Sequence, residues 1–217
     1  MVIGGRKRIF AAVAALLVLA LAGAARADNF EDCGSLKNHY GPFDYTDPEI
    51  RAAKLPIVER FHFSPKVENL EHGESSTIMG DLDYTLRAFP NHHRALYAVA
   101  RYQLKHPHKP GSKYYSADCY FKRAIRFKPD DGIVYLLYGI YLHRLDKLQD
   151  ALTQYQEAEK FIKEGPELTE LHYNLGLLYA DMGDYKDAKV YAEKAYAAGY
   201  PLPGLRDKLK RAGMWKK

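Results

Sequence analysis

The chain has 217 residues, 47% of them hydrophobic and 27% charged, a length that fits one packed domain with additions. Its formal charge of +5 is uneven, because the first 27 residues hold Arg6, Lys7, Arg8 and Arg26 and no acid. The remainder carries 28 basic against 27 acidic residues, which removes the global charge argument for nucleic acid or an anionic membrane and leaves only local patches.

Residues 1–27 read as a signal peptide. Arg6-Lys7-Arg8 is a basic start, Ile9 to Leu21 is an apolar run of the right length, and Ala25-Arg26-Ala27 is a small-x-small cleavage site. Cleavage is expected before Asp28. The alternative is that the same stretch is kept as an anchor; Gly23 and the cleavage motif weigh against that. No later stretch is apolar enough to span a bilayer, so the expected product is periplasmic or secreted, with no membrane span. The Ala-rich apolar run and short basic start have a bacterial look. Cys33 is not a lipoprotein cysteine, since it lies six residues past the small-x-small site.

Residues 28–63 read as an irregular N-terminal arm, polar, spotted with aromatics and carrying Gly41-Pro42. Within it, Thr46-Asp47-Pro48-Glu49 has the form of a helix start, and the helix should stop before Pro56. Pro56 to Phe63 has strand-like β-branched and aromatic content, although no partner strand is evident. Residues 64–92 should form a helical cap or degenerate repeat. One helix starts at Ser64-Pro65 and ends near Gly73. A second covers Ser76 to Phe89, where Ile78, Leu82, Leu86 and Phe89 make one apolar stripe. Asp81 and Asp83 point apart on that helix and read as N-terminal helix charge rather than a catalytic pair.

Residues 93–202 repeat themselves. The clearest copy is Thr169 to Pro201, with Leu175-Gly176, Tyr179, Ala188 and Ala195 at key places. A second runs from Gly132 to about Glu164, with Tyr138-Gly139, Leu142, Ala151, Tyr155 and Ala158. A third has Ala100 in its first helix and Ala117, Phe121, Ala124 and Pro129 in and after its second. This pattern resembles the tetratricopeptide repeat (TPR), a helix–turn–helix unit of about 34 residues. His172 stands where that family has Trp, Ala192 where it has an aromatic, and Tyr200 where it has Pro. Ala117, Ala151 and Ala188 are 34 and 37 residues apart, whereas Ala100, Gly139 and Gly176 are 39 and 37 apart. Five residues are therefore inserted within His106 to Ser116, and three near Lys163 to Leu168. The resemblance implies an all-α helical solenoid of about three repeats that binds proteins and, by itself, performs no chemistry. Residues 203–217 complete it as a polar-backed capping helix, with Leu205, Leu209 and Ala212 on one face.

The sequence holds no phosphate-binding loop, nucleophile elbow, His-Glu-x-x-His or Cys-x-x-Cys. His92-His93 and His106-Pro107-His108 lack the helical spacing and carboxylate partners of a metal site, so neither a metal nor a cofactor is expected. In the TPR family the first helices of successive repeats line a concave groove. Carried onto this chain, the resemblance gives Arg94, Tyr97, Arg101 and Lys105; Leu136, Ile140, His143 and Arg144; and Tyr173, Leu177 and Asp181. The chaperone-tail clamp of some TPR proteins is not matched, with Tyr97, Leu136 and Ile140 at some of its places. The implied role is an exported adaptor or scaffold that holds another envelope protein or peptide in this groove, with no nucleic acid. The alternative is a small enzyme whose site lies between residues 28–89 and the solenoid. A cluster of perturbed titratable groups in one pocket joining the two segments would favour it.

The two cysteines, Cys33 and Cys119, should pair. The expected compartment is oxidising. Cys119 lies about 200° around its helix from Ala117, so it points away from the partner helix and toward any segment crossing the outside. The alternative is one buried packing thiol and one free thiol.

Overall fold

The computed structural model describes residues 33–215 and Met1; the expectations on the leader and on cleavage before Asp28 fall outside the described residues. The described residues form an all-α helical solenoid. Its helices are α1 (Pro48–His62), α2 (Pro65–Glu68), α3 (Ile78–Ala88), α4 (His93–Lys105) and α5 (Ala117–Phe127). They continue as α6 (Gly132–Arg144), α7 (Leu148–Phe161), α8 (Gly165–Asp181), α9 (Tyr185–Ala197) and α10 (Gly204–Arg211).

Side chains just outside the helices start several of them. Asp47 accepts from the N–H groups of Glu49 and Ile50, Thr77 from Gly80, Ser116 from Cys119 and Asp184 from Asp187. Each satisfies donors that the first turn cannot pair internally. Connections of three residues, 145–147 and 182–184, make α6 and α7, and α8 and α9, antiparallel neighbours. α6 packs on α7 and α8 on α9 more extensively than any other pairs. The reason lies at the crossing points. Gly139 leaves room for the ring of Tyr155, and Gly176 lets α9 and Leu205 of α10 come close. The α4–α5 pair has Ala100 at that place and packs less closely.

α1 packs on α3, ahead of the α4–α5 pair, in the position of a preceding unit. The partners differ from those the sequence suggests. The expected break before Pro56 and the strand over Pro56 to Phe63 are not formed; one helix runs through to His62. Leu55 and Val58, three residues apart, are buried on one face, while Ala52 and Pro56 are exposed. The carbonyl that loses its bond at the proline therefore faces water, and a strand would have had nothing to pair with. The expected helix to Gly73 is only one turn. It stops at Glu68 because Leu70 turns to φ 63° and the N–H of Glu71 bonds back to the Lys66 carbonyl. The three residues inserted near 163–168 partly join α8, which starts at Gly165-Pro166 and is 17 residues long.

The core runs continuously from Phe63 and Val67 through α3 to α8. Smaller clusters lie around Leu205 and Leu209 at one end and around Tyr45, Leu55, Val58 and Phe89 at the other. The described part of the arm is tied to the solenoid at several points from Cys33 onward. Cys33 and Cys119 form a disulfide with Cα atoms 5.2 Å apart. Arg123, 2% exposed, donates to the carbonyls of Cys33 (2.9 Å) and Ser35 (2.8 Å). Phe43 N–H donates to the Ala88 carbonyl at 2.8 Å. A Cβ on Gly41, which has φ +100°, would lie 2.5 Å from that carbonyl oxygen, so only glycine allows the approach.

Candidate partner-binding trough

α4, α6 and α8 lie side by side, since α4 contacts α6 and α6 contacts α8. Two adjoining cavities follow this row. The first, about 280 Å³, lies between α4, α6 and the end of α2, with Leu70, Ala100, Leu104, Leu137, Ile140 and Tyr141 supplying apolar surface. Arg101, Lys105 and Arg144 supply positive charge, and no carboxylate lines this cavity. The second, about 430 Å³, lies between α6, α7 and α8 and takes in His143, Asp146, Tyr155, Asn174, Leu177 and Asp181. Ile140 and Arg144 border both, which makes one trough with Ile140 as its saddle.

The expected groove residues divide into three groups. Tyr97, Arg101, Lys105, Ile140, His143, Arg144, Leu177 and Asp181 all line the trough. Arg94 does not. Its guanidinium is held by both carboxylate oxygens of Glu68 and by Glu59 at 3.1 Å, and it lies over the ring of Phe63. Leu136, 2% exposed, and Tyr173, 7% exposed, are turned into the core. Tyr173 stacks on Tyr200 at 4.1 Å within the cluster formed with α10. Tyr97, the equivalent position in the first pair, is 45% exposed, and the guanidinium of Arg101 lies 5.0 Å from its ring.

Several trough residues carry constraints of their own. Arg101 donates to the Glu68 carbonyl, while its Nε is buried with no partner. The buried hydroxyl of Tyr155 also has no partner. His143 meets Asp181 at 3.1 Å, and Asp181 also binds Lys208 of α10. Burial pushes the His143 imidazole below its ordinary value, against the pull of Asp181. Leu70, Leu104, Leu137, Asn174 and Tyr155 were not among the expected residues. α6 is apolar almost all round, so its sequence contains no stripe that tells groove from core.

The titratable groups joining the arm to the solenoid lie elsewhere. Asn91 donates to Asp44 (2.8 Å) and Asp131 (3.0 Å) and accepts from the Tyr45 N–H at 2.9 Å. His93 meets Asp131 at 2.9 Å and His92 meets Glu59 at 3.2 Å. Asn91, His92 and Asp131 are buried, and none of this network lines the trough. Asp81 lies in the first turn of α3, as expected of helix N-terminal charge, and is also a buried tie: it accepts from the N–H groups of Glu74, Ser75 and Ser76 and from His62.

Neither the protein-family models nor the curated proteins contain a match to this chain. Among the described residues, no helix is long and apolar enough to cross a membrane.

Proposed function

We propose that this chain is an exported TPR-type adaptor that holds a segment of another envelope protein in the α4–α6–α8 trough. The observation that carries the reading is the trough itself: an apolar floor with Arg101, Lys105 and Arg144 at one end and no acid among them. Such a surface suits an extended or helical partner that places an apolar side chain over Leu137 and Ile140 and a carboxylate near the cations. The disulfide supports an oxidising compartment. The leader peptide and the repeat pattern of the sequence support export and the TPR assignment.

The test is capture from envelope extract by protein purified after export, read by mass spectrometry. Tyr97→Ala with Arg144→Glu changes two exposed trough positions and should abolish capture of specific partners without altering circular dichroism. Arg101 is the wrong residue for this test, because its bond to the Glu68 carbonyl also fixes the end of α2. Equal partner recovery by the variant and the parent would place binding outside the trough.

A further inference from the structure

The insertion between α4 and α5 folds back over the start of α3. Gln103, 6% exposed, anchors its far end by donating to the Tyr115 carbonyl at 3.0 Å and accepting from the Ala117 N–H at 2.7 Å. Gly111, with φ +79°, completes a turn in which the Ser112 N–H bonds the Lys109 carbonyl. The Tyr114 hydroxyl reaches Thr77 at the cap of α3, 3.5 Å away. Between the loop and the helices lies a cavity of about 670 Å³.

The charged groups on its lining are two ammonium groups, Lys105 and Lys109. The imidazoles of His106 and His108 lie beside them, and no carboxylate borders the cavity. The sequence has no Asp or Glu from Tyr102 to Ala117. Lys105 and Lys109 have no ion-pair partner among the described residues. Thr77, Ser112 and Tyr114 add hydroxyls. Unpaired cations in a concave site concentrate anions, and hydroxyls beside them supply directed hydrogen bonds. The donors are the ammonium groups of Lys105 and Lys109, which bind phosphate as point charges, and the hydroxyls of Thr77, Ser112 and Tyr114. Spread around one cavity, they can meet several oxygens of a phosphoryl group at once.

We propose that this cavity binds a phosphate-bearing ligand through its phosphoryl group, either a soluble phosphoester or the headgroup of a phospholipid. The site adjoins the proposed adaptor trough and shares Lys105 with it, whereas His106, His108 and Lys109 line the loop cavity and not the trough.

The test uses protein purified after export, titrated calorimetrically with pyrophosphate and co-sedimented with vesicles. One set of vesicles mixes phosphatidylglycerol with phosphatidylcholine, and the other is phosphatidylcholine alone. His108→Glu with Lys109→Glu should weaken binding about tenfold or more. Lys109→Gln, which removes a charge without adding one, should weaken it less. Lys186→Glu with Lys189→Glu on α9 changes net charge at least as much and should leave the affinity within about twofold. Binding of pyrophosphate identifies a soluble ligand, and binding of anionic vesicles alone identifies a headgroup; both outcomes support the site. The proposal is overturned if the parent protein binds neither probe. It is also overturned if both double variants weaken binding equally, since net charge alone would then explain it.

Discussion

At the scale of single residues, His92 is a fully buried titratable group held on several sides. Its Nδ1 accepts from the Ala95 N–H, which places the proton on Nε2, where it faces Glu59. The ring stacks on Tyr45 at 4.4 Å and meets Phe63 edge-on at 4.8 Å. Burial holds its imidazole below the ordinary value, although Glu59 pulls the other way. An unfolded imidazole takes its proton near pH 6.5, so below about that pH the unfolded chain binds a proton that the folded chain refuses. Stability should therefore fall on acidification below about pH 6.5. His143 and His172 are shifted down by burial and act in the same direction. Glu59, held below the ordinary carboxylate range by its bond to His92, adds a further loss when the pH falls through the carboxylate range. The thermal midpoint should be lower near pH 5 than near pH 7.5. His92→Asn, which keeps a capping side chain, should show a shallower dependence. A midpoint unchanged over that range would mean that the folded state tolerates the charged ring.

At the scale of elements, the two crossing glycines are not equivalent. A Cβ on Gly139 would lie 2.4 Å from Cε1 of Tyr155, a ring that is wholly buried and has nowhere to move. A Cβ on Gly176 would lie 2.4 Å from Cδ2 of Leu205, the end of a flexible side chain, and 3.3 Å from the Ala188 carbonyl. The nearest obstacle at Gly176 is thus α10, with its own partner α9 next. Alanine gains about 1 kcal/mol of helix propensity over glycine, against roughly 1–3 kcal/mol for overpacking. Gly139→Ala should accordingly be net destabilising, and Gly176→Ala close to neutral. Leu205→Ala costs about 2–5 kcal/mol by itself, but combined with Gly176→Ala it should cost less than the two added, because the clash is removed. Combined with Gly139→Ala it should be additive. Urea unfolding of the three single and two double variants decides this, and additivity at Gly176 would mean that α10 does not press on that position.

At the scale of the molecule, the arm is held by ties that are far apart in sequence. Cys33 and Cys119 are 86 residues apart, and Tyr45 and Asn91 are 46 apart. A disulfide closing a loop of that length is worth about 4 kcal/mol in the chain-entropy account, and often less in practice. Reduction, or Cys33→Ser with Cys119→Ser, should therefore lower the urea midpoint by an amount large on the scale of a single domain's stability. Arg123 would stay buried with its two carbonyl partners only if the arm stays docked. Hydrogen exchange should quicken first at residues 33–40 in the reduced protein, while α6 to α9 keep their protection. Uniform quickening across the solenoid would show instead that the arm and helices unfold as one unit.

Much of this architecture is written in neighbouring residues. The apolar stripe of 78–89, the small residues at Ala100, Gly139 and Gly176, and the alternation of helix and turn all follow from local periodicity and propensity. The reach of Cys119 away from its partner helix follows from helical geometry alone, and the disulfide is formed. What only the tertiary structure decided involves contacts between elements. Pro56 sits inside a helix because a buried face spans it and its freed carbonyl reaches water. Leu136 and Tyr173 are turned into the core, whereas the equivalent Tyr97 stays half exposed. Asp81 became a buried tie because the loop at 74–76 turned three N–H groups toward it. The trough combines residues from several helices, and its charge is visible only once those helices are packed; the charge of the loop cavity lies within residues 105–109 and is legible in the sequence, but the cavity itself is not. Periodicity along one helix reports which side chains share a face; it carries no information on what that face meets.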